Sequence, residues 1–202
     1  GRAHRVAAGD YRLPEAGVRY NPTLESVREE AETIICTCMA DLFRRTGIRP
    51  KEVDFLVINC SLFSPTPSLC AMAANHFKMR SDLRAFNLSG QGCSASLLSI
   101  DLASELLQNN RNTLAVVVST ELITKALYLG HDRCPISARS RRDLGAISVR
   151  SRRRSMLLQN MLFRSGGAAI ALTNKKRHLG RAKFRLRHLV RTQCTDDESY
   201  SA

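Results

Sequence analysis

The stretch Asn87–Ala95, which reads NLSGQGCSA, decides how the rest of this chain is interpreted. It follows the apolar segment Leu83–Leu88, which has the composition of a short strand. It leads into residues 94–108, where leucine and isoleucine recur at helical spacing. The pattern predicts a strand, a glycine-containing turn and a helix, with Cys93 at the start of the helix. We name residues 87–95 the elbow.

Cys93 is a candidate nucleophile because of its place in the elbow. The first N–H groups of a helix are unpaired and lie at the positive end of the helix dipole. They favour the thiolate, which is the reactive form of cysteine. Gly90 and Gly92 allow the backbone to turn sharply and a ligand to approach closely. The alternative is an inert packing residue, since cysteine is among the most buried residue types. The pattern alone leaves both interpretations open.

Short apolar runs alternate with helical patterns along the first 119 residues and predict an α/β fold. The run Thr113–Ser119 is apolar throughout, which is typical of a central strand. The order strand, helix, strand, helix, strand favours parallel pairing with crossover helices. The helix over 94–108 is apolar on more than one side, so we expect it to be buried. The predicted helices are 24–46, 68–79 and 94–108, and the predicted strands are 53–60, 83–88 and 113–119.

The composition is that of a globular chain. At 202 residues, with 44% hydrophobic residues, the chain is long enough to bury a substantial core. No apolar run reaches the roughly 18 residues that indicate a transmembrane helix, and the first ten residues lack the apolar core of a signal peptide. The chain begins with Gly1 and not with methionine, so we expect the natural start to be missing.

The seven cysteines form no CxxC pair, and their number is odd. We therefore expect free thiols in a reducing compartment and no zinc site. His76 recurs on the apolar side of its predicted helix. No second ligand is spaced along the sequence to join it, so we interpret it as a partly buried or surface histidine.

The net charge of +13 comes mainly from two late basic segments, 139–154 and 175–191. Basic runs can mark contact with nucleic acid or an anionic membrane, but more often they are solvated surface. The first segment contains no aromatic side chain on which bases would stack. We therefore do not expect nucleic-acid binding.

The pattern loosens after residue 121. Residues 134–154 have no consistent period and are rich in arginine and serine, which indicates a disordered or looped insertion. Order returns at 157–163 and at a strand over Ala168–Thr173. Residues 175–180 form a basic turn, and Phe184–Val190 alternates apolar with mostly basic residues, which predicts a half-exposed strand. Residues 194–202 are a frayed end.

Five motifs in order resemble the plant-type very-long-chain 3-ketoacyl-CoA synthases, the condensing enzymes of fatty-acid elongation. They are LPEA (13–16), KEVDFLVINCSLFSPTP (51–67), NLSGQGCSA (87–95), VVSTELIT (117–124) and LFRSGGAA (162–169). The first four occur in family order and spacing over residues 11–133, and the match resumes from residue 155 to about 197.

The resemblance implies a thiolase-like fold, a layered α/β structure with a mostly parallel sheet, of which this chain holds mainly the N-terminal half. It divides the chain into three parts. Residues 1–133 are an N-terminal thiolase-like condensing-enzyme region, and residues 155–202 are its truncated continuation. Residues 134–154 have no counterpart in the family, and an unspliced intron or a real surface loop would explain them.

The resemblance also implies the chemistry. Cys93 takes the acyl group from acyl-CoA, and malonyl-CoA loses CO2 and attacks the thioester to give a 3-ketoacyl-CoA two carbons longer. A thiolate suits this role because it is both a good nucleophile and a good leaving group. A backbone N–H at the helix start can hold the thioester oxygen. Acyl-CoA and malonyl-CoA are then substrates, and no cofactor or metal is implied.

Two departures limit what the resemblance implies for these residues. The catalytic histidine and asparagine of the family lie further C-terminal, and none of the five histidines matches them, so we expect this chain alone to lack the condensing step. The histidines are His4, His76, His131, His178 and His188. Family members also carry N-terminal membrane helices that place them in the endoplasmic reticulum membrane, and none is present in this sequence.

The family's assembly implies a homodimer or pairing with homologues, and contact with other elongase subunits. Two other functions stay open at this point. One is a non-catalytic remnant that dimerises with intact homologues. The other is a basic binding module that depends on residues 134–154.

Overall fold

The computed structural model describes residues 23–123 and 165–192. The predicted insertion over 134–154, the segment 157–163 and the frayed end over 194–202 lie outside the described residues. No helix in the described ranges is long and apolar enough to cross a lipid bilayer.

A four-stranded mixed sheet forms the centre of the described structure, with strand order β2-β1-β3-β4. Strand β1 pairs in parallel with both β2 and β3, whereas β4 runs antiparallel to β3. The predicted parallel pairing of the first three strands and the interior position of the third are confirmed. The strands are β1 (Phe55–Asn59), β2 (Arg84–Leu88), β3 (Leu114–Glu121) and β4 (Gly166–Thr173).

Three helices flank the sheet, and the sequence marks the ends of the first two. The side chain of Thr23 accepts a hydrogen bond from the N–H of Ser26 at 3.1 Å and caps the first helix. Gly47 ends that helix in the left-handed conformation, with φ 65°. The second helix is shorter than the predicted 68–79, because Phe77 already leaves helical geometry. The helices are α1 (Leu24–Thr46), α2 (Leu69–His76) and α3 (Ala95–Asn109).

The two faces of the sheet carry separate hydrophobic cores. Leu56 and Ile58 of β1 face α1 and α2, whereas Phe55 and Val57 face α3. Successive residues of a strand point to opposite faces, so β1, which is apolar from Phe55 to Ile58, fills both cores. Each fully buried side chain of this size contributes about 1.5–3 kcal/mol to folding.

Helix α3 is buried on one side only. Its buried residues are Ala95, Ser99, Ala103 and Leu107, and the larger Ile100, Leu102 and Leu106 are partly buried against the same core. Leu97 on another side is 50% exposed. The predicted burial of this helix therefore holds for the side that faces the sheet and fails at Leu97, which the sheet does not cover.

The segment after β4 differs from the prediction. Residues 176–181 form a short 3-10 helix where a basic turn was predicted, and Phe184–Val190 forms no strand. Phe184 is 92% exposed. Alternating apolar residues form a strand only beside a partner that accepts their backbone hydrogen bonds, and no described strand pairs with this segment.

Candidate active site

The elbow has the predicted strand, turn and helix geometry. Strand β2 ends at Leu88, a 3-10 turn spans Gly92–Ser94, and α3 begins at Ala95. Gly90 and Gly92 both have positive φ, at 74° and 54°, a conformation that glycine adopts without steric cost. Cys93 is exposed within the 3-10 turn that leads into the helix. The predicted position of Cys93 is confirmed, while its catalytic role stays a prediction.

The loop after β1 supports the elbow from one side. The hydroxyl of Ser61 accepts a hydrogen bond from the N–H of Gly92 at 3.0 Å. The carboxylate of Glu121, the last residue of β3, accepts hydrogen bonds from the N–H groups of Ser61 at 2.6 Å and Leu62 at 3.0 Å. Glu121 therefore fixes the loop that holds the residue directly before Cys93.

A buried polar network ties α3 to the sheet behind the elbow. The amide nitrogen of Asn59 donates to the hydroxyl of Ser99 at 2.9 Å, and its oxygen accepts from the hydroxyl of Ser119 at 2.9 Å. Asn59 is 3% exposed and Ser99 is fully buried. Buried polar side chains that are fully hydrogen-bonded fix one arrangement of the elements that carry them. This network holds the second turn of α3 in register with the ends of β1 and β3.

Cys93 differs from the other cysteines that the structure describes. Burial raises the pKa of the Cys70 thiol to about 12. Burial, and then the negative charge of Glu121, raises the pKa of Cys60. Cys36 is also buried, and Cys38 is half-buried with its pKa raised by burial and by Asp41. Among the described cysteines, Cys93 alone is exposed to a substrate in solution.

An open depression of about 580 Å³ lies against the elbow. Its lining combines turn residues of the elbow with the first turn of α3 and the end of the described chain. The lining residues are Gly90, Gln91, Ser94, Leu97, Val190, Arg191 and Thr192. The two apolar side chains and the guanidinium give the depression both an apolar and a cationic part.

No described histidine hydrogen-bonds to Cys93. His178 accepts a hydrogen bond from Nε of Arg177 at 3.2 Å, and burial followed by the charge of Arg177 lowers its pKa. His188 is exposed. His76 lies at the end of α2 with Nδ1 at 3.6 Å from a carboxylate oxygen of Glu32. Residues 23–123 and 165–192 thus contain a nucleophile candidate without a histidine base in hydrogen-bonding contact.

His76 is partly exposed, as predicted, with 46% of its side chain accessible, and the fold brings two other potential ligand residues beside it. Glu32 and Cys36 of α1 bring a carboxylate oxygen and a sulfur to within 4.8 Å of a ring nitrogen of His76. This contact could not be predicted from the spacing of the residues, because helices α1 and α2 meet only in the folded chain.

The structures most useful for comparison are bacterial type III polyketide synthases. The 1,3,6,8-tetrahydroxynaphthalene synthase of Streptomyces coelicolor matches with a TM-score of 0.58 and 20% identity, over 74% of this chain and 37% of that one. Germicidin synthase of the same species matches with a TM-score of 0.55 and 20% identity, over 76% of this chain and 34% of that one. These matches confirm the predicted thiolase-like fold.

Curated relatives are much closer in sequence. The 3-ketoacyl-CoA synthase 5 of Arabidopsis thaliana is 49% identical over 181 residues, and 3-ketoacyl-CoA synthase 6 is 48% identical over 180 residues. Each alignment covers 89% of this chain and 32% of the relative, so the chain spans about a third of the relatives' length. The model of the FAE1/Type III polyketide synthase-like proteins matches residues 11–149 and 140–202. The chain therefore belongs to the FAE1/type III polyketide synthase-like family.

Proposed function

We propose that this chain is the acyl-accepting part of a 3-ketoacyl-CoA synthase of very-long-chain fatty-acid elongation. Cys93 takes the acyl group of an acyl-CoA, and the whole protein condenses that group with malonyl-CoA. The observation that carries the proposal is the position of Cys93, exposed at the entry to α3, whereas the other described cysteines are buried or half-buried. The 49% identity to a named 3-ketoacyl-CoA synthase supports the substrate class.

The acyl transfer is a balanced exchange of one thioester for another. The thiolate of Cys93 attacks the carbonyl carbon of acyl-CoA, a new carbon–sulfur bond forms, and the bond to the CoA sulfur breaks. The CoA thiolate leaves and takes up a proton from solvent. Backbone N–H groups of the first turn of α3 are the candidates to stabilise the oxyanion between these steps. The exchange needs no cofactor.

The depression beside the elbow suits the two ends of such a substrate. Leu97 and Val190 offer apolar contact to an acyl chain, and Arg191 offers a cation toward the phosphates of CoA. We assign decarboxylation of malonyl-CoA to groups outside the described residues, because no described histidine contacts Cys93. An enolate needs such a donor to stabilise its charge.

Three further parts of the proposal concern the whole protein. We propose that it dimerises with itself or a homologue, works with other elongase subunits, and resides at the endoplasmic reticulum membrane. We also propose that residues 134–154 are an insertion into the thiolase-like region. The family model matches the chain in two segments that overlap at residues 140–149, inside this stretch, and not in one continuous segment, which supports an interruption here.

Acylation of Cys93 tests the proposal directly. The purified chain is incubated with stearoyl-CoA, and intact-protein and peptide mass spectrometry follow. We expect the mass of one acyl group on the Cys93 peptide, removable by hydroxylamine and absent from Cys93→Ser. Cys38→Ser is the matched control and keeps the adduct. No adduct on a chain with native circular dichroism, or an adduct that survives Cys93→Ser, contradicts the proposal.

A non-catalytic subunit that pairs with an intact homologue is the second candidate. Leu97 of α3 and Ile170 of β4 are large apolar side chains that are 50% and 43% exposed. A partner protein that covered these side chains would remove their apolar area from water. This function predicts co-purification with a full-length 3-ketoacyl-CoA synthase and no acyl adduct on Cys93.

A further inference from the structure

A second cluster of reactive side chains lies on helices α1 and α2, on the face of the sheet opposite α3. Glu32 and Cys36 are one helical turn apart on α1, so their side chains project from the same side. His76 is the last residue of α2. One ligand atom from each of the three residues lies within 4.8 Å of the other two.

We propose that Glu32, Cys36 and His76 form a three-ligand site for a divalent transition-metal ion of the zinc class. The donors are a carboxylate oxygen, a sulfur and an imidazole nitrogen, which are the ligand types of zinc sites. Magnesium and calcium prefer oxygen ligands alone, so the sulfur and nitrogen select against them. The fourth position is open to water or to a ligand.

The distances suit a tetrahedral ion. Zinc bonds of about 2.0–2.3 Å place ligand atoms about 3.3–3.8 Å apart. The oxygen of Glu32 and Nδ1 of His76 are 3.6 Å apart and already meet this spacing. The side chains of Glu32 and His76 are 57% and 46% exposed, so both can move until all three ligand atoms reach this spacing. Cys36 is 9% exposed and acts as the fixed ligand.

The charges of the cluster suit a divalent cation, which displaces the proton of a thiol ligand into solvent when it binds. The ion's two positive charges then balance one thiolate and one carboxylate. His76 also lies at the C-terminal end of α2, where the helix dipole favours positive charge.

The site is accessible from solvent. Glu32 also lines a groove of about 370 Å³ between α1, α2 and the loop after β1. The groove gives a metal ion a route from solvent to Glu32. Arg28 lines the same groove, and its positive charge opposes the approach of the ion.

Cobalt(II) is the probe that tests the site, because a cobalt–thiolate bond gives a charge-transfer band in the near ultraviolet. The metal-free chain of 202 residues is titrated with Co²⁺ and then with Zn²⁺. We expect a band that saturates at one ion per chain and disappears when Zn²⁺ replaces Co²⁺. Cys36→Ala removes the band. Cys38→Ala, which changes the cysteine two residues away, keeps it.

A second variant separates loss of the ligand from loss of the fold. His76→Gln changes an exposed side chain, so its circular dichroism stays native while Co²⁺ affinity falls at least about 10-fold. Absence of the band in the wild-type chain overturns the proposal. So does a band that is lost in Cys93→Ser but kept in Cys36→Ala, or an affinity that His76→Gln leaves unchanged.

Discussion

Replacing Glu121 by alanine removes the support of the loop beside the elbow. The carboxylate accepts hydrogen bonds from two backbone N–H groups, at 2.6 Å from Ser61 and 3.0 Å from Leu62. A hydrogen bond to a charged group contributes roughly 1.5–3 kcal/mol. Leu62 is 58% exposed, so water replaces part of this loss. We expect Glu121→Ala to lower the free energy of unfolding by about 2–4 kcal/mol.

Two further variants separate the contribution of the Glu121 charge from that of the Ser61 hydroxyl. Glu121→Gln keeps the shape and one acceptor oxygen, so we expect about half of the alanine effect, and the pKa of Cys60 falls because a nearby negative charge is gone. Ser61→Ala keeps both bonds to Glu121 and removes only the hydroxyl that accepts from Gly92, which costs about 0.5–1.5 kcal/mol.

Urea unfolding followed by circular dichroism measures these differences, and iodoacetamide labelling reports how firmly the elbow holds Cys93. We expect Glu121→Ala and Ser61→Ala to change the labelling rate of Cys93 in the same direction. The matched control is Glu105→Ala, an exposed glutamate on α3. The reasoning is refuted if Glu121→Ala and Glu105→Ala have the same stability within about 0.5 kcal/mol.

Three further predictions concern packing, pH and thiol exposure. Gly167→Ala places a Cβ at 2.8 Å from Cγ2 of Ile34, so urea unfolding should show a loss of about 1–3 kcal/mol that Ile34→Ala partly restores. The hydrogen bond from Arg49 holds the pKa of Glu52 below its usual range. The ionised Glu52 therefore stabilises the folded chain above about pH 4.3, and this contribution is lost as the pH falls further. In unfolding titrations, Glu52→Gln should lack this acid-dependent loss of stability. In a short alkylation pulse, peptide mapping should find Cys93 labelled before any other described cysteine.

Each of these has an outcome that contradicts it. If Gly167→Ala has the same stability as the wild type, Ile34 moves away from the new Cβ without cost. Parallel acid unfolding curves for wild type and Glu52→Gln mean that the ion pair does not persist in solution. Labelling of the buried Cys70 before Cys93 means that the elbow is covered.

The core elements could be predicted because their signals are local. The run over residues 53–60 is apolar at six of its eight positions, and both faces of β1 are indeed buried. Thr23 and Gly47 mark the ends of α1 through bonds and backbone angles that involve only nearby residues. The elbow also depends on local order, since its glycines, Cys93 and helix follow one another along the chain.

Contacts between distant residues could not be predicted in the same way. Glu121 and Ser61 are 60 residues apart and meet because β1 and β3 are adjacent, with Asn59 paired to Ser119. The predicted parallel order did not specify that register. The strand predicted over 184–190 was wrong because alternation of apolar and polar residues does not by itself provide a neighbouring strand to pair with.

Release of CoA shows directly whether Cys93 accepts an acyl group. The chain is mixed with stearoyl-CoA without malonyl-CoA, and free CoA is quantified over time. The account predicts a burst of one CoA per chain that then stops, with no burst from Cys93→Ser. No burst from the folded wild-type chain, or a burst of equal size from Cys93→Ser, contradicts the account.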